Sequence, residues 1–216
     1  MAKSGTVCSI GINDADYPLI ITVELPYKEG KRQQKILWRC PYYARWTAML
    51  RRCCSARFKN KYQTYNDVTC SKEWLLFSNF KSWMETQDWE GKDLDKDLLV
   101  YQNNIYSPEA CCFLEHNINT FLRTNGKTRG EYPLGVSFSN RDRLYMSKVK
   151  IGCGEIKHLG CFKNPQDAHK AWQKAKAALA FDLALNQTDE RIKQGLMRVY
   201  EKILSDYEQD LETVNF

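Results

Sequence analysis

The chain has 216 residues, 43% of them hydrophobic and 12% aromatic, and a net charge of +6. That is enough apolar material for one large domain or two small ones. No run of 18 apolar residues supports a membrane span, and MAKSGTVCSIGIND lacks the apolar stretch of a secretory signal, which implies a cytoplasmic protein. The nine cysteines then read as reduced thiols. They contain no CxxC pair and fit small buried hydrophobes better than a zinc site built from Cys53, Cys70 and Cys111. The charge is segregated: residues 28–61 hold eleven Lys or Arg against one acid, and residues 121–180 hold twelve against four. Residues 181–216 reverse the sign, with four against eight. Two separated basic blocks are what a protein touching a polyanion at two places carries.

In chain order, TVCSIGI and LIITVEL read as strands separated by the turn-forming NDADYP. YKEGKRQQ reads as an exposed basic loop and KILWRC as a third strand. Pro41 then opens a helix, YYARWTAMLRRCC, with Trp46, Met49 and Leu50 at helical spacing. Arg45, Arg51 and Arg52 cluster on and beside its opposite face. KEWLLFSNFKSWMET forms a second amphipathic helix, its core face being Trp74, Phe77, Phe80 and Trp83. Residues 94–122 read as strand, turn, strand and a short helix, EHNINTFL. The Gly/Thr-rich basic stretch 123–131 reads as a linker.

Beyond it, GVSFS, RLYMSKVKI and EIKHLGCF read as three strands joined by the turns Asn140–Asp142 and Gly152–Gly154. Asn164 caps a helix with Pro165 at its first position and Asp167 in its first turn. Ala168, Ala171, Trp172, Ala175 and Ala178 make one stripe of mostly small residues, which lets the helix lie close to a sheet. Thr188 caps a last helix with Ile192, Leu196, Val199 and Ile203 on one face. That stripe suits packing within the chain or pairing with a second copy as a homodimer, and packing within the chain is the reading favoured here.

In the strand 143–151, Tyr145, Ser147 and Val149 alternate with Met146, Lys148 and Lys150. With the first set on the helix, the second faces outward. A basic β-surface can enter the major groove, where arginine pairs with guanine edges and lysine holds phosphate. The candidate contacts are Arg141, Arg143, Lys148 and Lys150, with Lys157 and His158 from the next strand.

The stretch GVSFSNRDRLYMSKVKIGCGEIKHLGCFKNPQDAHKAWQKAKAALA resembles the Apetala-type DNA-binding domain of plant ethylene-response factors. The match is carried by Gly135-Val136, Tyr145, the run Leu159-Gly160-Cys161-Phe162 and the Ala168 to Ala175 pattern. The resemblance implies double-stranded DNA bound by the sheet rather than by the helix, with Ser137 and Met146 among the groove-facing positions. The family often has Arg where this chain has Ser137, and Trp where it has His158. Fold and binding mode therefore carry over and the target sequence does not.

Upstream, GINDADYP, CPYYARWTAMLRRC, VTCSKEWLLFSNFKSWMETQDWEGKDLDKDLL and IYSPEACCFLEHNIN are similar to phage-encoded HNH homing-endonuclease-like proteins. An HNH site is a hairpin and a helix around one divalent metal, with a histidine as general base. The resemblance makes Asp95 and Asn117, 22 residues apart, the metal-ligand positions, for Mg²⁺ or Mn²⁺. Lys96 stands where the family carries its histidine. An ammonium with an ordinary pKa near ~10.4 is a poor base at neutral pH. His116 is the neighbouring candidate, though adjacent helical residues point about 100° apart.

The expectation is an α+β chain. Residues 1–40 form a strand region with a basic loop, and 41–122 an HNH-like module. Residues 123–131 are the linker, 132–185 the Apetala-type domain and 186–216 the last helix. The expected function is sequence-specific duplex binding on a nuclease-like scaffold, as in a repressor, inside a bacterial host cell and encoded by a phage or mobile element. A pure binder of this kind needs no cofactor. The alternatives are a metal-dependent nicking endonuclease and a module for an acidic protein partner.

Overall fold

The computed structural model describes residues 6–28, 30–123, 131–152 and 154–216. It is a mixed α/β chain that divides into two units, Met1–Glu90 with Gln102–Phe113, and Gly91–Tyr101 with Leu114–Phe216. The expected linker 123–131 falls mostly on residues 124–130, which lie outside the described residues, as does Cys153 of the second turn.

In the first unit, β1 (Thr6–Val7) and β2 (Gly11–Ile12) form a small antiparallel hairpin. Cys8 and Ser9 in its turn adopt left-handed φ of 52° and 67°, so the run expected as one strand folds back on itself. β3 (Ile20–Lys28) and β4 (Lys31–Arg39) form an antiparallel ribbon with Lys28 opposite Lys31. Most of the expected basic loop is thus strand, because cross-strand pairing extends almost to Gly30, whose φ of 72° makes the turn.

Pro41 does open α1 (Pro41–Cys54), and Trp46, Met49, Leu50 and Cys53 are its buried face. Ser55 caps α2 (Ala56–Lys61) by accepting from the Phe58 N–H. β5 (Thr69–Cys70) follows. The second amphipathic helix is interrupted: Glu73–Leu75 is a 3-10 turn, Leu76 is extended, and α3 spans Phe77–Glu85. Leu76 leaves the helix because its backbone bridges to Ile12. Trp74, Phe77, Phe80 and Met84 are buried, and the Trp46 indole donates to the Trp74 carbonyl at 2.7 Å.

The chain then supplies β6 (Asp93–Asp95) to the second unit and returns to the first with β7 (Ile105–Tyr106), parallel to β5. It crosses back for good within β8 (Cys112–Leu114). The expected boundary at residue 122 therefore does not coincide with the division into units, since α4 (His116–Leu122) lies with the sheet.

The second unit is built on β9 (Val136–Ser139), β10 (Leu144–Gly152) and β11 (Glu155–Phe162), antiparallel with β10 central. α5 (Pro165–Leu185) starts at Asn164, whose side chain accepts from the Asp167 N–H at 2.8 Å. α6 (Glu190–Glu208) is capped by Asp189, one residue beyond the expected Thr188. α5 is buried on two faces. Ala168 and Trp172 are buried as expected, but Ala171 and Ala175 are only half-buried and Ala178 is exposed. Ala177, Ala180 and Ala184 are buried instead. The reason is that α5 lies between the sheet and α6, so a single stripe cannot describe it. On α6, Ile192, Leu196, Val199 and Ile203 are all buried, each contributing about 1.5–3 kcal/mol. That stripe packs within the chain.

Candidate nucleic-acid interface

The register of the sheet sorts its side chains by face. Directly opposed residues share a face, so Met146 groups with Ser137 and Cys161, Lys148 with His158, and Lys150 with Ile156. Ser147 and Val149 are buried on the α5 side. Lys148 and Lys150 are exposed on the other, as are Ser137, His158 and Cys161, while Met146 is half-buried. A β-bulge sits between Ser147 and Lys148, where Gly160 and then His158 are their partners. Beyond it Lys157 falls opposite Val149. Lys157 therefore belongs to the α5-side face, not to the outer face expected for it; the one-residue slip at the bulge reverses its direction.

Arg141 and Arg143 occupy the turn between β9 and β10 and are exposed. Arg143 has a left-handed φ of 54°, and its N–H donates to the Ser139 carbonyl at 2.8 Å. Arg141 Nε donates to Asp142 Oδ1 at 3.0 Å, and Asp142 Oδ2 accepts from the Ser139 hydroxyl. The two arginines thus stand at one end of the sheet. Lys148, His158 and Lys150 continue an exposed polar row along it.

On α1, Arg51 is exposed, whereas Arg45 and Arg52 are half-buried. Arg52 donates to the Tyr106 hydroxyl at 3.1 Å, so it is partly spent on holding β7. Arg51 lies over the Phe58 ring. The three arginines expected as one cluster therefore differ in their access to a ligand.

At the nuclease-like positions, the Asp95 carboxylate is half-buried, and desolvation raises its pKa. Its Oδ1 accepts the N–H groups of Asp97 and Leu98 at 2.9 and 2.8 Å, closing the turn after β6. Asn117 Oδ1 accepts from the Ile118 N–H. Lys96 is buried, with its ammonium on Asp97. The carboxylate that meets α4 is Asp93, whose Oδ2 accepts from His116 Nδ1 at 2.8 Å and from Asn119 Nδ2 at 3.1 Å. The spacing of Asp95 and Asn117 gave no warning of this, because the alternation of β6 puts Asp93 and Asp95 on one face and either satisfies the count. No cluster of three or more His, Cys, Asp or Glu side chains among the described residues is placed to hold a metal.

No helix among the described residues is long and apolar enough to cross a membrane. No family model, no curated protein and no solved structure matches the chain.

Proposed function

We propose that the protein binds double-stranded DNA by laying the outer face of the β9–β10–β11 sheet in the major groove, and that it acts as a sequence-specific regulator. The observation that carries this reading is the exposed row Lys148, His158 and Lys150, with Arg141 and Arg143 at its end, on the side of the sheet opposite α5. Three strands spaced about 4.8 Å apart make a surface roughly 10 Å across, which suits a groove about 12 Å wide. The arginines read base edges and the lysines hold phosphates. The β3–β4 ribbon, with Lys31, Arg32 and Lys35 all exposed on it, supplies a second phosphate surface.

A nicking endonuclease would need a general base near its metal. The residue at that position, Lys96, is ion-paired with Asp97, and an ammonium so held does not accept a proton from water. This favours occupancy of a site over cleavage.

The test is duplex affinity as a function of salt. Four neutralised phosphates predict a log–log slope of about −3.6, so affinity falls roughly a hundredfold between about 50 and 200 mM salt. Replacing Arg141, Arg143, Lys148 and Lys150 together with Gln should remove specific binding while circular dichroism stays unchanged. Undiminished duplex binding by that variant would overturn the reading.

A further inference from the structure

β9 pairs with β10 only as far as Ser147 opposite Val136, with one more bond from the Lys148 N–H to the Gly135 carbonyl. Beside the remainder of β10 lies a cavity of about 420 Å³, lined by Trp172 and Lys176 of α5 and by Phe121 and Arg123 at the end of α4. Lys148 and Lys150 of β10 also line it, and its described lining includes no Asp or Glu.

Lys176 is the unusual member. It is only 6% exposed. Its ammonium donates to the Phe121 carbonyl at 2.6 Å and sits 3.4 Å from the centroid of the Phe121 ring. No carboxylate lies within ion-pair distance of it among the described residues. Capping the C-terminus of α4 accounts for one of its three N–H donors. A methionine would fill the same space without desolvating a charge. Burial and, secondarily, the positive charge of Lys150 hold the Lys176 pKa down to about 7, and no acidic side chain in the described lining of the cavity neutralises it.

We propose that this cavity is a phosphate site for a nucleotide, its oxygens held by Lys150, Lys176 and Arg123. It is far larger than one phosphate, and the Trp172 and Phe121 walls suit the sugar and base. The phosphate comes from a duplex backbone or from a free nucleotide, and the site stands whether or not the sheet enters a groove. Because anion binding favours protonated Lys176, affinity and pH are linked.

The test uses the full chain, dAMP, and sulfate as a probe whose charge does not change with pH. NMR titration should show saturable shifts at the Trp172 indole and at the amides of Phe121, Arg123 and Lys150. Binding should weaken about tenfold or more in Lys150→Gln and in Lys176→Met. Sulfate affinity should fall roughly tenfold from about pH 7 to about pH 8.5 in the wild type, and much less in Lys176→Met. Lys150 is exposed, so Lys150→Gln keeps the test decisive if Lys176→Met fails to fold. No saturable binding of either probe at about pH 6.5, or equal binding by wild type and Lys150→Gln, overturns the site. Duplex added to the dAMP complex separates the sources: displacement assigns the phosphate to the backbone, and simultaneous binding assigns it to a free nucleotide. A protein that binds dAMP but no duplex refutes the groove reading and leaves this one standing.

Discussion

Gly135 combines two constraints that alanine violates together. Its φ is 79°, and a Cβ built on it would lie 2.0 Å from Trp172 Cδ1. The Trp172 ring stacks on His169 at 5.4 Å, and His169 in turn donates from Nδ1 to the Leu134 carbonyl and accepts the Thr213 N–H at Nε2. The ring has nowhere to retreat, so Gly135→Ala should destabilise the second unit by about 2–4 kcal/mol in urea denaturation. Ser147 gives the opposite sign. Its hydroxyl is fully buried against α5 and has no hydrogen-bond partner among the described residues. Ser147→Ala removes a desolvated polar atom and should raise stability by up to about 1 kcal/mol. Lys176 makes stability depend on pH. Its folded pKa, about 7, lies below the ordinary lysine value, so above pH 7 the unfolded chain holds a proton the folded chain has released. Stability therefore rises with pH from about 7 towards about 10, and Lys176→Met should flatten that slope in thermal melts run across the range. The exposure of Lys148 and Lys150 was legible at this scale, because strand alternation is local. Lys157 was not, because its direction depends on a bulge that only the pairing with β10 creates.

At the scale of elements, the second unit is tied together by its last residues. Gln173 donates from Nε2 to the Leu211 carbonyl at 2.9 Å and to Thr213 Oγ1 at 3.0 Å. Thr213 Oγ1 donates to Asp206 Oδ2, and Lys202 pairs with Asp206 on its other oxygen. Residues 211–216 thus satisfy buried polar groups on both α5 and α6, and removing them would leave those groups desolvated without partners. Deleting 211–216 should lower the melting temperature by several degrees and raise amide exchange along α5, measured by hydrogen exchange. The network was invisible in the sequence: Gln173 and Thr213 are 40 residues apart and follow no periodicity. By contrast, β10, β11 and the cap of α5 could be read almost to the residue. Alternation, Gly turns and an Asn-Pro start are written in neighbours. The helix expected over 72–86 broke at Leu76 because a backbone bridge to Ile12 outweighed amphipathic periodicity, which is tertiary context overriding propensity.

At the scale of the whole molecule, both units carry exposed basic side chains, Lys148 and Lys150 on the sheet in one and Lys31, Arg32, Lys35 and Arg51 on β4 and α1 in the other. A binder of this kind should hold duplex without altering it. Supercoiled plasmid incubated with the protein and Mg²⁺ or Mn²⁺ should stay supercoiled, and metal-dependent relaxation lost in Asp95→Ala would replace the regulator reading with the nuclease one. The linear order also misplaced the division of the chain, since Gly91–Tyr101 joins the second unit. Arg198, which donates to the carbonyls of Leu98 and Leu99, and Gly195, packed directly on Leu98, hold that segment there. What the amino-acid sequence determined by itself was local: the amphipathic faces of α1 and α6, the three strands, and the outward direction of Lys148 and Lys150. All of these follow from the 3.6- and 2-residue periods of the backbone. Only the tertiary structure decided that Asp93 rather than Asp95 meets α4, that Lys157 turns away, and that Lys176 is buried against Phe121. Each of these depends on which distant groups compete for one small volume, and no count of residues along the chain contains that information.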